Sequence, residues 1–220
     1  MIDPATNIVW RIDGWAQQLA RDSTAQASSA LHAIADGANW WGGTGVVLLA
    51  AALWLGARVL NKTSLARVGL RGAEGLAVAS AVSGIIKGLA GRARPFVTPG
   101  EPWHWEFNRG WSDAQYFSMP SGHTTATVAF VVGVLVATRG IAAKSRAAFV
   151  LPLIVSAAAV AFARVYTNQH WASDIVAALV LGTTTSLLLA RVHANSAYPG
   201  YHRLMLGAVA PDAKAAKAAK

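Results

Sequence analysis

Five stretches of this 220-residue chain are apolar and almost long enough to cross a bilayer, and that restricts the fold more than any single residue does. They run approximately over residues 43–60, 69–89, 121–138, 147–163 and 173–190. A hydrocarbon core of about 30 Å needs about 17–25 helical residues. Charge is correspondingly scarce: 13% of residues are Asp, Glu, Lys or Arg, where soluble domains carry about 25%. The expectation is an all-α integral membrane helical bundle of about five transmembrane helices. Ala and Gly within the stretches suit close helix–helix packing in lipid. The absence of cysteine excludes a disulfide scaffold, a zinc-thiolate site and an iron–sulfur cluster.

Residues 7–39 do not make a sixth span, because Arg11, Asp13, Arg21, Asp22 and Asp36 are too many charges for a lipid-facing helix. Ile8, Ile12, Trp15 and Leu19 recur at helical spacing, which predicts an amphipathic helix lying in the interface. The chain then divides into an N-terminal interfacial segment (1–42), a transmembrane domain (43–192) and a basic tail (193–220).

The net charge of +9 is explained by sidedness, with no need for nucleic acid. With the N-terminus outside, segments 58–71, 138–148 and 191–220 face inward and hold 12 of the 19 basic residues, with Asp212 their single acid. That is the positive-inside pattern, and it places the C-terminus in the cytoplasm. Eight of the nine Trp, all but Trp54, fall on the outer half as an interfacial belt. The tail Lys214, Lys217 and Lys220 reads as a solvated cytoplasmic end.

The same assignment gathers the chemically capable residues at the outer face. Lys87 ends the second span, with Gly88, Gly91, Arg92, Arg94 and Pro95 after it. Pro120-Ser121-Gly122-His123 opens the third, Arg164 closes the fourth, and His170 and Asp174 open the fifth. Lys87, Arg94 and Arg164 suit a small, highly charged anion, since guanidinium forks match phosphate oxygens. The start of the third helix adds free backbone N–H groups of Ser121, Gly122 and His123, an anion cradle. His170 and Asp174 lie four apart and share a helix face. Asp174 then accepts from His170 Nδ1–H and leaves Nε2 as a nucleophile toward phosphorus. His123 at the mouth of the cradle is the candidate general acid and base. No cofactor is called for, and no cluster has metal-ligand spacing.

Taken together these residues resemble the three-part signature of the type 2 phosphatidic acid phosphatase (PAP2) superfamily. Lys87, six residues and Arg94-Pro95 are similar to its first motif. Pro120-Ser121-Gly122-His123 is similar to the second, and Arg164, His170 and Asp174 at their spacing to the third. The family often has Ser before the third-motif Arg, where this chain has Ala163. The resemblance implies a metal-independent membrane phosphatase working through a phosphohistidine, with lipid substrates such as phosphatidate, phosphatidylglycerol phosphate or polyprenyl diphosphate. It also implies a bacterial cytoplasmic membrane location with the site on the outer, periplasmic face. Six spans are usual in the family, and the amphipathic N-terminal segment stands in for the first.

Two other readings stay open on the residues alone: a lipid phosphotransferase sharing the first half-reaction, and a non-catalytic lipid-phosphate binder or transporter. Residues 96–119 are too polar to span yet rich in aromatics. Trp103, Trp105 and Trp111 there are candidates for a substrate lid, against simple interfacial anchoring. Glu74, within the second span, is expected to pair with Arg71 near the inner interface.

Overall fold

The computed structural model describes residues 7–195 and 204–206, and all its regular elements are helical. An amphipathic helix α1 (Ile8–Ala20) and a single turn α2 (Ser23–Gln26) precede four long apolar helices: α3 (Ser29–Val59), α4 (Thr63–Ala90), α6 (Ala143–Tyr166) and α7 (Ala172–Asn195). A shorter apolar helix, α5 (Gly122–Ala137), completes the set of five. The tail residues expected to form a solvated cytoplasmic end, Lys214, Lys217 and Lys220, and the acid Asp212 lie outside the described residues.

The N-terminal region departs from the expectation of one interfacial segment. Asp22 and Ser28 cap α2 and α3 with their side chains and divide residues 7–39 into separate helices. The first long helix therefore starts at Ser29, where residue 43 was expected. Its 31 residues extend about 46 Å at 1.5 Å each, well beyond the hydrocarbon thickness. Asp36 is exposed on the early turns, so its charge need not enter lipid. Two π-helical turns, Trp41–Gly45 and Ala52–Gly56, interrupt α3.

Helix α1 is amphipathic with its polar side inward. Asp13 and Gln17 are buried, whereas Ile8 (70% exposed) and Trp15 (63%) lie on the outside with Ile12 and Leu19. A helix that hides carboxylate and amide groups and presents aliphatic ones suits an apolar surround.

Helix α5 is the centre of the bundle. Apolar side chains cover every side of it, as a fully enclosed helix requires. It packs on α3, α4, α6 and α7, and Phe130, Val131 and Val134 join Val46, Ala50, Val68, Val150 and Leu153 in the main core. Small residues set the spacing: a Cβ on Gly133 would lie 2.5 Å from the Arg71 carbonyl oxygen, and one on Gly182 would lie 2.8 Å from that of Thr125. Such backbone approach is how helices gain packing energy where lipid is as apolar as the side chains. Leu151, Val155, Val180 and Leu188 face outward around this core. Near the end of α4 where that helix begins, Glu74 bonds Arg71 at 2.8 Å, as expected, and also meets His193 at 3.0 Å.

Candidate active site

The site forms where α4 and α6 end and α5 and α7 begin, so four helix termini meet at one end of the bundle. Helix α4 stops at Gly91, whose φ of +57° is left-handed. A Cβ there would lie 1.7 Å from the Glu106 carbonyl oxygen, so only glycine fits. The connecting segment then folds back: Ala93 N–H donates to the His104 carbonyl at 3.0 Å and Glu106 N–H to that of Gly91 at 2.8 Å.

Lys87, on the last turn of α4, is buried and donates from Nζ to the Phe117 carbonyl at 2.8 Å and the Ser118 carbonyl at 3.0 Å. Its Cε lies 3.4 Å from where a Cβ on Gly122 would be, which sets the ammonium beside the first turn of α5. Arg94 donates from Nε to the Ala114 carbonyl at 3.0 Å and from Nη1 to Gln169 Oε1 at 2.5 Å. Burial holds the Arg94 pKa below its usual value, and the charge of Asp174 works against that. Arg164 is buried at the end of α6; its Nη1 donates to Asn39 Oδ1 on α3 at 2.9 Å, and its Nε has no partner among the described residues.

Ser121 is the N-cap of α5 in extended backbone, and its hydroxyl meets Thr124 Oγ1 at 3.0 Å. The expectation of a free Ser121 N–H needs correction, because it donates to the Asp174 carbonyl at 3.2 Å. The pairing ties the start of α5 to the start of α7. The first-turn amides of Gly122 and His123 remain, which a helix leaves without intrahelical acceptors. The His123 ring rests against α3 at its π-helical turn: a Cβ on Gly43 would lie 2.9 Å from His123 Nε2.

His170 sits in the short turn between α6 and α7, its N–H bonded to the Arg164 carbonyl at 3.0 Å. Its Nδ1 lies 3.5 Å from Asp174 Oδ2, at the limit of a hydrogen bond and without an aligned one. No hydrogen bond among the described residues occupies Nε2. Burial pushes the His170 pKa down to about 3; the nearby Asp174 carboxylate opposes the shift, and the cations of Lys87 and Arg164 add to it. The imidazole is therefore neutral at physiological pH, as a nucleophile must be.

Asp174 is fully buried and heavily bonded. Oδ2 accepts from Ser118 Oγ at 2.6 Å and from Trp171 N–H at 2.9 Å, the latter being capping of α7 from its third residue. Oδ1 accepts from Arg92 Nη1 at 2.5 Å. Sequence reasoning gave Arg92 no role, yet it is 1% exposed, lies 5.1 Å from the Trp105 ring and 5.6 Å from that of Trp171, and donates to the Pro102 carbonyl, Ser173 and Asp13 as well. Asp13, Ser118 and Asn39 were likewise missed as partners of the site.

Among the lid candidates, Trp105 is half-buried, packed on Arg92 and edge-on to Trp103 at 5.9 Å. Trp111 is exposed on one side and covers Gly88, where a Cβ would come within 2.3 Å of its indole. Trp103 is exposed.

Lys87, Arg94, Ser121, Gly122, His123, Arg164, His170 and Asp174 are thus brought to one end of the bundle from four helices and two connections. Such a cluster, two imidazoles beside three cations and helix-terminal amides, can bind an anion and move a proton next to it. The family model described as PAP2 superfamily matches residues 70–198, more than half of the chain and all eight of these residues. No curated protein and no solved structure gives a match.

Proposed function

As the chain belongs to the PAP2 superfamily, we propose that it is a membrane lipid phosphatase whose nucleophile is His170. Members of the family are phosphatases, and the apolar helices fit a membrane protein. The observation that carries the finer reading is the meeting of His170, His123 and three cations at helix ends, with Nε2 of His170 free of hydrogen bonds among the described residues.

Phosphoryl oxygens are held by Lys87, Arg94 and Arg164 and by the Gly122 and His123 amides, which counter the charge that grows on them in the transition state. Nε2 of His170 attacks phosphorus as the bond to the leaving oxygen breaks, and His123, which takes up a proton as the phosphate anion binds beside it, gives that oxygen its proton. Asp174 receives Nδ1–H and stabilises the cationic ring of the phosphohistidine. A water then attacks phosphorus, His123 takes its proton, the P–N bond breaks and inorganic phosphate leaves. No step uses a metal. The substrate is a lipid monophosphate or diphosphate, with polyprenyl diphosphate the leading choice, reached at the outer face of a bacterial cytoplasmic membrane.

The test is phosphate release in EDTA by detergent-purified protein from a panel of lipid monophosphates and diphosphates, beside His170→Ala. Release from one class that vanishes in the variant supports the reading. Release that survives in His170→Ala overturns the mechanism, and release only on adding an acceptor turns the reading to a transferase.

A further inference from the structure

Asp13 belongs to α1, outside the residues 70–198 matched by the family model. It is 0% exposed, a rare state for a carboxylate that is not strongly paired. Oδ1 accepts from Ser173 N–H at 2.7 Å; Oδ2 accepts from Ser173 Oγ at 2.7 Å and from Arg92 Nη2 at 2.8 Å. The same guanidinium places its other terminal nitrogen on Asp174 Oδ1. Arg92 is thereby shared between two buried carboxylates, one on α1 and one on α7. Asp13 also holds the backbone of Ser173, the residue before Asp174.

We propose that Asp13 is a positioning residue for the reaction: through Arg92 and Ser173 it fixes where the Asp174 carboxylate points and keeps it an effective acceptor for His170. One cation between two anions cannot neutralise both. Asp174 consequently retains more negative character than a simple Arg–Asp pair would leave it, and that character draws the proton of His170 to Nδ1. Without the charge on Asp13, Arg92 turns fully to Asp174 and weakens it as an acceptor. Low dielectric around the buried groups amplifies the effect. Around this chain of groups the other charges are Lys87 on α4, Arg94 in the connecting segment and Arg164 on α6, with His123 on α5. The amphipathic helix is then part of the catalytic apparatus and not only an interfacial anchor.

The inference rests on the phosphatase reading for its kinetic consequence but not for its structural one, so two measurements are made on the full chain in detergent. Asp13→Asn keeps the shape and removes the charge. Its kcat for phosphate release is expected to fall about tenfold or more with KM within about twofold, the pattern of a lost transition-state contribution. Nitrogen-15 NMR of histidine-labelled protein at neutral pH, with His170 assigned from His170→Gln, reads the tautomer directly. The folded wild type is expected to hold the proton on Nδ1, and Asp13→Asn to shift part of it to Nε2. An unchanged tautomer ratio in folded Asp13→Asn overturns the inference. Absence of phosphate release from the wild type refutes the phosphatase reading instead, and the tautomer ratio still decides the role of Asp13.

Discussion

Adding one methyl group at Gly43 should slow the enzyme without unfolding it. The residue lies in the π-helical turn Trp41–Gly45, and a Cβ there would come 2.9 Å from His123 Nε2 and 3.4 Å from Cδ2. Unstrained contacts lie at about 3.5–4.0 Å, so the imidazole must retreat by about 0.5–1 Å. A displacement of about 1 Å in a reacting group costs about a hundredfold. Gly43→Ala is therefore expected to lower kcat by about ten- to a hundredfold, which is about 1.4–2.7 kcal/mol on the barrier. Stability moves the other way or not at all, because Ala is favoured over Gly within a helix by about 1 kcal/mol. The assay is steady-state phosphate release in micelles, with thermal unfolding of the same preparation as control. A kcat within about twofold of wild type would refute the claim that the Gly43 backbone sets the position of the His123 ring, the proposed proton donor. A fall in kcat matched by a fall in melting temperature would refute it as well.

Two further outcomes follow from the same geometry. Arg92→Ala leaves Asp13 and Asp174 as buried carboxylates without their shared cation, and breaking such a pair costs about 3–5 kcal/mol; a melting temperature equal to wild type would mean that the network does not hold α1 to α7. His170, lowered from 6.5 to about 3 by burial, binds its proton more readily in the unfolded chain, so its contribution to stability is complete above about pH 6.5 and is lost as pH falls from there toward about 3. Thermal unfolding followed across that range should show a steeper acid loss in the wild type than in His170→Gln, and parallel curves would contradict the sign.

The membrane-crossing helices and the motif residues were legible in the sequence for different reasons. Hydropathy marks only apolar stretches, so α4, α5, α6 and α7 were found within a few residues while α3 was found late: its early turns carry the exposed Asp36. Lys87, Arg94, His170 and Asp174 stood out because helix ends keep groups a few residues apart together. Asp13 and Arg92 are 79 residues apart in sequence, and no local spacing records such a pair. The Ile8, Ile12, Trp15 and Leu19 stripe did announce an amphipathic helix, but its period is equally consistent with a face turned to protein or to lipid. Which way it turned was decided by Asp13, a residue read only as a charge to be kept from lipid. Ser121 N–H is a similar case, since its acceptor, the Asp174 carbonyl, lies on a different helix.

The proposed phosphate cradle is divided among the ends of separate helices, which would give a surrounding lipid bilayer a say in its dimensions. Membrane helices accommodate a thicker or thinner bilayer by tilting. Tilt of α4 against α5 moves the Lys87 ammonium relative to the Gly122 and His123 amides, and tilt of α6 carries Arg164 with it. Acyl-chain length would thus act as a ruler for the proposed active site, and vesicles of graded thickness should give graded turnover.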